Sequence, residues 1–320
     1  CLVALLLTAF GHRGETAVVG RGRVGDDRPQ APDERTIFEI GSITKVFTAT
    51  LLADMAREGL VALDDPVQSF LPDGVELPVR GRPITLADLV THTSGLPRLP
   101  KGLLWHAIRE SANPYANFSR DQLETAIPRT KPRRPPGKKI RYSNYGAGLL
   151  GYVLTLRAGQ LYEQLVAERI TAPLGMTDTS IAVAAEKLDR FAQGHSRRGR
   201  PVSNWDLPAL AGAGALRSTV ADVLTFLAAQ LGDAPEPLAE AIRMTHEPRA
   251  RRGALGVGLG WLILPVRERP YEVVWHDGGT GGFRSVAGFV AEVDTAIVVL
   301  ANSSRPVDNL GLEILNAISE

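Results

Sequence analysis

Cysteine is nearly absent from this chain, which has one, Cys1, among 320 residues. A single cysteine excludes an internal disulfide, a zinc site with cysteine ligands and a Cys-x-x-Cys redox centre. An excess of charge is also absent, because 36 basic and 35 acidic residues leave a net charge of +1. This balance argues against a nucleic-acid-binding protein. The six histidines are scattered without ligand spacing, so we expect no metal and no cofactor.

Long hydrophobic runs are missing as well, and we expect no integral membrane span. The apolar segment at residues 1–10 is too short to cross a bilayer. It could be a remnant of a signal sequence or the start of a lipoprotein at Cys1. However, residues 11–15 form a polar turn and residues 16–20 again have the composition of a strand, which favours a buried β-hairpin.

The segment around which the chain is organised is GSITKVFTATLLADMAREG, residues 41–59. Apolar or small residues cover nearly its whole circumference, which predicts a buried helix from Ser42 to Gly59. Glycine suits the helix end because it readily takes the left-handed conformation. Lys45 is the only charged residue in the first three turns. A lone buried ammonium is unfavourable unless its pKa falls or it has partners.

Ser42 and Lys45 are three residues apart, so a helix places them on one face, one turn from each other. A desolvated lysine can be neutral near pH 7 and accept the serine proton, which would make the hydroxyl a nucleophile. The helix N-terminus would offer backbone N–H groups to an oxyanion. The alternative is a capping serine followed by a lysine that extends to solvent, but this helix has no polar face that would lead Lys45 outward.

The order of elements along the chain predicts an α+β fold. Strands at both ends enclose a long helical stretch, and capping patterns at Thr85 and Thr219 mark the starts of two helices. We expect an antiparallel β-sheet flanked by helices, in a three-layer α-β-α arrangement with an inserted all-α lobe. The lobe is expected at residues 71–204, and the α/β part of this single domain at residues 1–70 and 205–320.

Two local patterns have both a structural and a functional interpretation. Seven basic residues fall between Arg129 and Arg141 among prolines, which predicts a solvated loop or, alternatively, a basic rim that attracts an anionic substrate. Gly146, Gly148 and Gly151 match the G-x-G-x-x-G fingerprint of dinucleotide-binding proteins. Because a Pro-rich basic loop precedes them instead of a buried strand, we interpret them as a helix face that packs closely on a neighbour.

Three motifs associated with serine chemistry follow one another along the chain: Ser42-x-x-Lys45, Tyr142-Ser143-Asn144 and His276-Asp277-Gly278. In this order they resemble the penicillin-recognising serine hydrolases, which comprise class C β-lactamases, low-molecular-weight DD-peptidases, D-aminopeptidases and related esterases. The resemblance extends over nearly the whole chain and includes FEIG at 38–41, THTSGL at 91–96, PPG at 135–137 and GGTGGF at 278–283. We interpret His92, within the second of these segments, as a structural histidine.

The resemblance implies a role for each motif residue. Ser42 would attack the substrate carbonyl and form an acyl-enzyme, while Lys45 and a partly ionised Tyr142 would act as general bases. Asn144 would hold the amide or ring side chain of the substrate. The backbone N–H groups of Ser42 and Gly279 would form the oxyanion hole.

The third motif departs from the family pattern at His276, where β-lactamases and most DD-peptidases usually have lysine. Histidine is largely neutral at pH 7, so a permanent cation for a substrate carboxylate is missing, although Arg284 could supply one. Family members with histidine here include D-aminopeptidases, esterases and peptide-cyclising enzymes, which argues against efficient β-lactam hydrolysis. Gly278 and Gly279 would leave the strand edge open to the substrate.

We therefore expect a serine hydrolase or acyltransferase whose partner is a small-molecule or peptide substrate: a β-lactam, a D-amino-acid peptide or amide, or an ester. The alternatives are a peptide-cyclising or transacylating homologue and a non-hydrolytic penicillin-binding sensor. A non-catalytic scaffold and a nucleotide-binding oxidoreductase based on residues 146–151 have less support from the residues. The resemblance favours an extracytoplasmic or membrane-associated location, with a cytoplasmic one still open, and it leaves the oligomeric state open.

Overall fold

The computed structural model describes residues 4–10, 16–103, 112–266 and 269–318. The strands are β1 Ala4–Phe10, β2 Thr16–Gly22, β3 Phe38–Glu39, β4 Arg217–Ser218, β5 Ala250–Arg252, β6 Leu255–Val257, β7 Leu262–Pro265, β8 Glu272–Gly279, β9 Arg284–Val290 and β10 Thr295–Ala301. Eight of them form one sheet in the order β2-β1-β10-β9-β8-β7-β6-β5, while β3 pairs with β4. Every neighbouring pair is antiparallel, as the sequence predicts.

Strands β1 and β2 form the predicted N-terminal hairpin. Leu7 of β1 lies opposite Val19 of β2 on one side and opposite Val299 of β10 on the other. The two strands of the hairpin are therefore confirmed, whereas its predicted turn, residues 11–15, lies outside the described residues. The prediction that the hairpin is buried is wrong for β2, which is the edge strand of the sheet and is mostly exposed. Both ends of the chain complete one sheet.

The helices lie between these strands in the chain and after the last of them. Their bounds are α1 Thr44–Arg57, α2 Leu86–Val90, α3 Arg120–Ala126, α4 Asn144–Ala158, α5 Tyr162–Val166, α6 Val220–Ala228, α7 Leu238–His246 and α8 Asp308–Ile318. Helices α2 to α5 fall between β3 and β4 in the chain and form the inserted helical part of the α+β fold. The proposed boundaries of this lobe, residues 71–204, stay a prediction. None of the described helices combines the length and apolarity needed to cross a bilayer.

Side chains of β10 alternate between the two faces of the sheet, as a strand requires. Val298 and Leu300 belong to the large core that includes α1, whereas Ile297 and Val299 pack in a second cluster with Leu315 of α8. Helices therefore cover both faces of the sheet. The predicted three-layer α-β-α arrangement is confirmed.

The predicted central helix is present and buried. It begins as a 3₁₀ turn, Gly41–Ile43, continues as α1, and ends where Gly59 takes a φ of 70°. Of the fourteen residues of α1, all but Ala56 and Arg57 are buried. Helices α4 and α7 and residues 211–213 pack around α1, and Gly260, in the turn between β6 and β7, approaches its backbone, which explains why its sequence has no polar face.

The predicted caps of two other helices are also confirmed. The Thr85 side chain accepts a hydrogen bond from the backbone N–H of Asp88, and the Asp88 carboxylate bonds back to Thr85. At the start of α6, the Thr219 side chain accepts from the N–H of Asp222. Each cap satisfies an N–H group that a helix start leaves without an intrahelical acceptor.

The glycines of α4 lie where this helix contacts the loop before β4. A Cβ on Gly148 would lie 2.5 Å from a methyl group of Leu210, and one on Gly151 would lie 2.9 Å from the Cα of Gly212. Only glycine permits such an approach, which confirms the interpretation as a packing face for Gly148 and Gly151. The interpretation is wrong for Gly146, where a Cβ would meet no atom closer than 3.4 Å. The basic segment that precedes α4, residues 129–141, exposes all seven of its basic side chains and forms the predicted solvated loop.

This packing predicts opposite results for two substitutions in one helix. Gly148→Ala should lower the free energy of unfolding by about 1–3 kcal/mol, because the new methyl group would overlap Leu210. Gly146→Ala is the matched control, since its Cβ would meet no atom closer than 3.4 Å and alanine favours helix. Urea denaturation of both variants measures the difference; equal stability of the two would contradict the packing role.

Candidate active site

Ser42 is held against strand β8 by two glycines. Gly41 takes a φ of 51°, and a Cβ there would lie 2.5 Å from the backbone N of Gly279. A Cβ on Gly278 would lie 2.1 Å from the carbonyl O of Ile40. The turn that carries Ser42 therefore touches the strand backbone directly. The Ser42 N–H belongs to the first turn of a helix, where N–H groups have no intrahelical acceptor.

The Lys45 side chain turns inward to Ser42. Its Nζ lies 2.8 Å from Ser42 Oγ and donates a hydrogen bond of 2.6 Å to the carbonyl O of Ala213. Only 3% of the residue is exposed. Burial lowers the pKa of Lys45 to about 7, while nearby Asp277 opposes this shift and Arg98 adds to it. At pH 7 and above, a large fraction of Lys45 is an uncharged amine in contact with the serine hydroxyl.

Tyr142 reaches the same hydroxyl from the start of α4. Its Oη lies 2.6 Å from Ser42 Oγ, and Lys45 Nζ lies 4.9 Å from the centroid of its ring. Burial raises the pKa of Tyr142 well above the ordinary value of a phenol, an effect that its hydrogen bond to Ser42 only partly offsets. The sequence-based expectation of a partly ionised Tyr142 is therefore wrong in this environment. The phenol keeps its proton and donates it to the serine oxygen.

His92 packs against the ring of Tyr142 and does not line the cavity. Its ring lies 4.6 Å from the Tyr142 ring, centroid to centroid, and its Nδ1 accepts a 3.4 Å hydrogen bond from the N–H of Ser143. The residue is buried and has a φ of 59°, a left-handed conformation that is uncommon for histidine. Burial lowers the pKa of His92 to about 3, so its imidazole is neutral. These contacts agree with the structural role expected from the sequence.

His276 lies beside Tyr142 and not on the wall of the cavity. Its ring centroid is 6.4 Å from that of Tyr142, and the residue is 1% exposed. Nδ1 donates a 2.6 Å hydrogen bond to the carbonyl O of Asp277, and burial lowers the pKa of His276. The structure therefore gives no direct route to the expected contact between His276 and a substrate.

A cavity of about 660 Å³ opens over Ser42. The residues expected at the site from the sequence that line it are Ser42, Tyr142, Asn144, Gly278 and Gly279. Lys45 and His276 lie behind these lining residues. Lys45 Nζ is hydrogen-bonded to Ser42 Oγ, and the His276 ring lies beside that of Tyr142. Sequence reasoning missed several other residues that line the cavity, among them Arg98, Tyr115, Trp205, Asp277 and Asp308.

The Asn144 side chain faces this cavity with its amide oxygen free. Nδ2 lies 3.4 Å from Tyr115 Oη, while Oδ1 is buried and has no hydrogen-bond partner among the described residues. The aromatic rings of Tyr115 and Trp205 lie 5.3 Å apart and form the adjoining wall. The backbone N–H of Trp205 donates a 2.8 Å hydrogen bond to the carboxylate of Glu39, a buried residue just before the serine turn. Glu39 belongs to FEIG at 38–41, one of the segments that carry the family resemblance, but Trp205 belongs to no motif that could have predicted its place.

The comparisons with known proteins cover almost the entire chain. A family model described as Beta-lactamase matches residues 6–318. A beta-lactamase of Pseudomonas fluorescens is 28% identical to this chain. The alignment spans 338 residues, gaps included, and covers 95% of this chain and 90% of that protein. The D-alanyl-D-alanine-carboxypeptidase/endopeptidase AmpH of Escherichia coli (strain K12) is 29% identical. Its alignment spans 333 residues, gaps included, and covers 97% of this chain and 84% of that protein.

A solved structure shows the same similarity in three dimensions. The beta-lactamase/D-alanine carboxypeptidase from Yersinia pestis, complexed with citrate, has a TM-score of 0.84 and 26% sequence identity to this chain. The match covers 100% of this chain and 94% of that one. The order of helices and strands is thus shared over the full length, and not only around the three motifs.

The neutral histidines of the site predict how stability changes with pH. As the pH falls from 7 to 5, an unfolded histidine gains a proton near 6.5, but buried His92, with a pKa of about 3, does not. Each histidine that stays neutral should therefore lower the free energy of unfolding at pH 5 by about 2 kcal/mol. Urea denaturation at both pH values measures this decrease.

The variant His92→Asn assigns part of this decrease to one residue. Asparagine does not titrate and tolerates a positive φ, so the decrease between pH 7 and pH 5 should be smaller than in the wild type. Loss of the contact with Tyr142 should lower stability equally at both pH values and cancel in the difference. An unchanged decrease would contradict the assignment of a buried, neutral His92.

Proposed function

The chain belongs to the Beta-lactamase family and is a serine hydrolase, and from this membership we propose that it forms an acyl-enzyme through Ser42. Its substrate would be a β-lactam, a D-amino-acid peptide or amide, or an ester. The observation that carries the proposal is the convergence of Lys45 Nζ, at 2.8 Å, and Tyr142 Oη, at 2.6 Å, on one serine oxygen. An amine that is neutral near pH 7 and a protonated phenol supply a base and an acid for one reaction.

The two groups divide the proton transfers of acylation. Neutral Lys45 takes the proton of Ser42 as Oγ attacks the substrate carbonyl and a bond forms between them. Tyr142 gives its proton to the leaving group as the bond between the carbonyl carbon and that group breaks. Lys45 then returns a proton to Tyr142, which restores both groups. In deacylation, a water molecule or an amine takes the place of the leaving group and the transfers run in reverse.

Backbone N–H groups would stabilise the oxyanion. Ser42 and Gly279 are brought together by the close approach of Gly41 to the backbone of β8. In comparable hydrolases, one such donor contributes about 3–4 kcal/mol to transition-state stabilisation. Strand β7 pairs with β8 only as far as Trp275, so the segment that includes Gly279 has a free edge beside the cavity. A substrate can extend along that edge, with a polar group near the free Oδ1 of Asn144.

The relatives support two of the three substrate classes. Their names describe a beta-lactamase and a D-alanyl-D-alanine carboxypeptidase/endopeptidase. The position of His276 separates this chain from family members with lysine there, because a buried neutral imidazole offers no charge to a substrate carboxylate. An ester or an amide without that carboxylate is compatible with the cavity as it stands. Transacylation stays an alternative, since an amine could resolve the same intermediate.

The first prediction of the proposal concerns the nucleophile. Ser42→Ala should lower kcat/KM for a short-chain nitrophenyl ester by at least about a thousandfold, because no covalent intermediate can form. Intact-mass spectrometry after incubation with the ester and with a fluorescent penicillin should show an acyl adduct on the wild type only. Ser69→Ala, a change at an exposed serine, is the control and should behave as the wild type.

The outcomes of this experiment separate the candidate functions. Turnover with a transient adduct supports a hydrolase, and a stable adduct without turnover supports a penicillin-binding sensor. Neither an adduct nor Ser42-dependent turnover with any of these substrates would refute the proposed chemistry.

The second prediction concerns the base. Since Lys45 has a pKa of about 7 and must be neutral to accept a proton, kcat/KM for the nitrophenyl ester should rise with pH through a midpoint near 7. Tyr142→Phe should be slower but keep that midpoint, whereas Lys45→Arg, which stays charged, should lose the activity. If the midpoint near pH 7 is absent in Tyr142→Phe, Tyr142 and not Lys45 is the base.

A further inference from the structure

Strand β8 brings an acidic side chain to the edge beside the candidate nucleophile. Strand β7 ends its pairing with β8 at Trp275, so the residues after it border the cavity. Side chains alternate along a strand, and the face that includes Gly278 packs against the carbonyl O of Ile40. Asp277 therefore points away from that contact, and it lines the same cavity as Ser42.

The Asp277 carboxylate has no counter-ion. The residue is half-buried, and among the described residues no donor lies within hydrogen-bond distance of its side chain and no basic nitrogen lies within 4.0 Å. Asp308, the first residue of α8, also lines the cavity, and its Oδ1 is buried without a hydrogen-bond partner. Burial and the neighbouring Asp277 raise the pKa of Asp308. Two carboxylates thus share one end of the cavity.

The cationic side chains of the cavity are engaged elsewhere. The Arg284 guanidinium lies against Gly279 and donates 3.2 Å hydrogen bonds to the carbonyl oxygens of Thr280 and Phe283. Arg98 lies over the ring of Tyr142, 5.3 Å from its centroid. Arg284 is near enough to Asp308 to offset part of its charge. Neither arginine forms an ion pair with Asp277, whose carboxylate is therefore the one of the two that is left to attract a cationic group.

We propose that Asp277, with Asp308 beside it, is a specificity-determining residue that selects substrates with a cationic group, such as an ammonium, at this end of the cavity. A substrate carboxylate at the same place is disfavoured by like-charge repulsion. This inference rests on the proposed acyl-transfer function and narrows its substrate class. Esters and amides that carry an amine are favoured, whereas acyl donors with a carboxylate near the reacting carbonyl, such as penicillins and peptides with a free C-terminus, are poor substrates.

A series of three aryl esters that differ only in charge tests this inference: 3-(trimethylammonio)phenyl acetate, phenyl acetate and 3-carboxyphenyl acetate. The ratio of kcat/KM for the cationic ester to that for the anionic ester is the readout. In Asp277→Asn this ratio should fall about tenfold relative to the wild type, which is the effect expected of one partly exposed charge. Intrinsic ester reactivities and any general loss of activity cancel when the two ratios are divided.

Two further variants complete the series. Asp308→Asn should lower the same ratio by a smaller factor, because Arg284 offsets part of the charge of Asp308. Asp294→Asn is the matched control: it makes the same change at an exposed turn between β9 and β10, where a φ of 49° suits asparagine. Its ratio should equal that of the wild type. An unchanged ratio in Asp277→Asn, or faster hydrolysis of the anionic ester by the wild type, overturns the inference.

Binding separates this inference from the proposed function. If phenyl acetate is not hydrolysed in a Ser42-dependent way, the acyl-transfer proposal fails, but charge selection is still measurable by calorimetry with phenyltrimethylammonium and benzoate. The wild type should bind the cation at least about tenfold more tightly than the anion, and Asp277→Asn should reduce that preference. Equal binding of the two probes would overturn the inference even if the ester is hydrolysed.

Discussion

The contact between Lys45 and Ser42 is the constraint on which the rest of the structure depends. An amine can serve as a base near neutral pH only if it is desolvated and lacks an anionic partner that would keep it charged. Both hydrogen-bond partners of Lys45 Nζ, Ser42 Oγ and the carbonyl O of Ala213, are uncharged. The fold supplies the desolvation by enclosing α1 among helices α4 and α7, residues 211–213 and the turn between β6 and β7. The apolar circumference of that helix is therefore a requirement of the chemistry as well as of packing.

Close backbone approach is the second requirement, because the serine turn must meet the strand edge without side chains between them. Gly41 and Gly278 satisfy it at the site, where a Cβ would overlap a backbone atom of the facing segment. Gly148 and Gly151 do the same at a distance, where α4 meets the loop that contains Gly212. That loop continues to Ala213, whose carbonyl accepts from Lys45. Packing of α4 thus bears on the position of the base as well as on stability.

Local patterns in the sequence were sufficient for the parts of the site that depend on neighbouring residues. The i, i+3 spacing predicts the contact between Ser42 and Lys45, and the helix caps follow from Thr85 and Thr219. The protonation state of Tyr142 could not be predicted, because it depends on how completely other segments bury the phenol. Trp205 could not be predicted, because its place depends on distant contacts such as the hydrogen bond from its backbone N–H to Glu39, 166 positions away. Asp277 stands out in the sequence only as a motif position, because whether it borders a cavity depends on where β7 stops pairing with β8.

The histidine in the third motif shows why a motif and its surroundings must be read together. Lysine at that position would place a cation near the reacting groups, but His276 is buried, donates to the carbonyl O of Asp277 and is kept neutral by desolvation. Since this ring is neutral, Lys45 is, of the described groups around Ser42, the one whose pKa lies near 7. Without a cation at position 276, the charge at this edge of the cavity is set by the side chains that line it. One of them is Asp277, the next residue in the chain, whose carboxylate has no ion-pair partner among the described residues. Loss of the cation and the presence of an acid act in the same direction, toward substrates without a carboxylate.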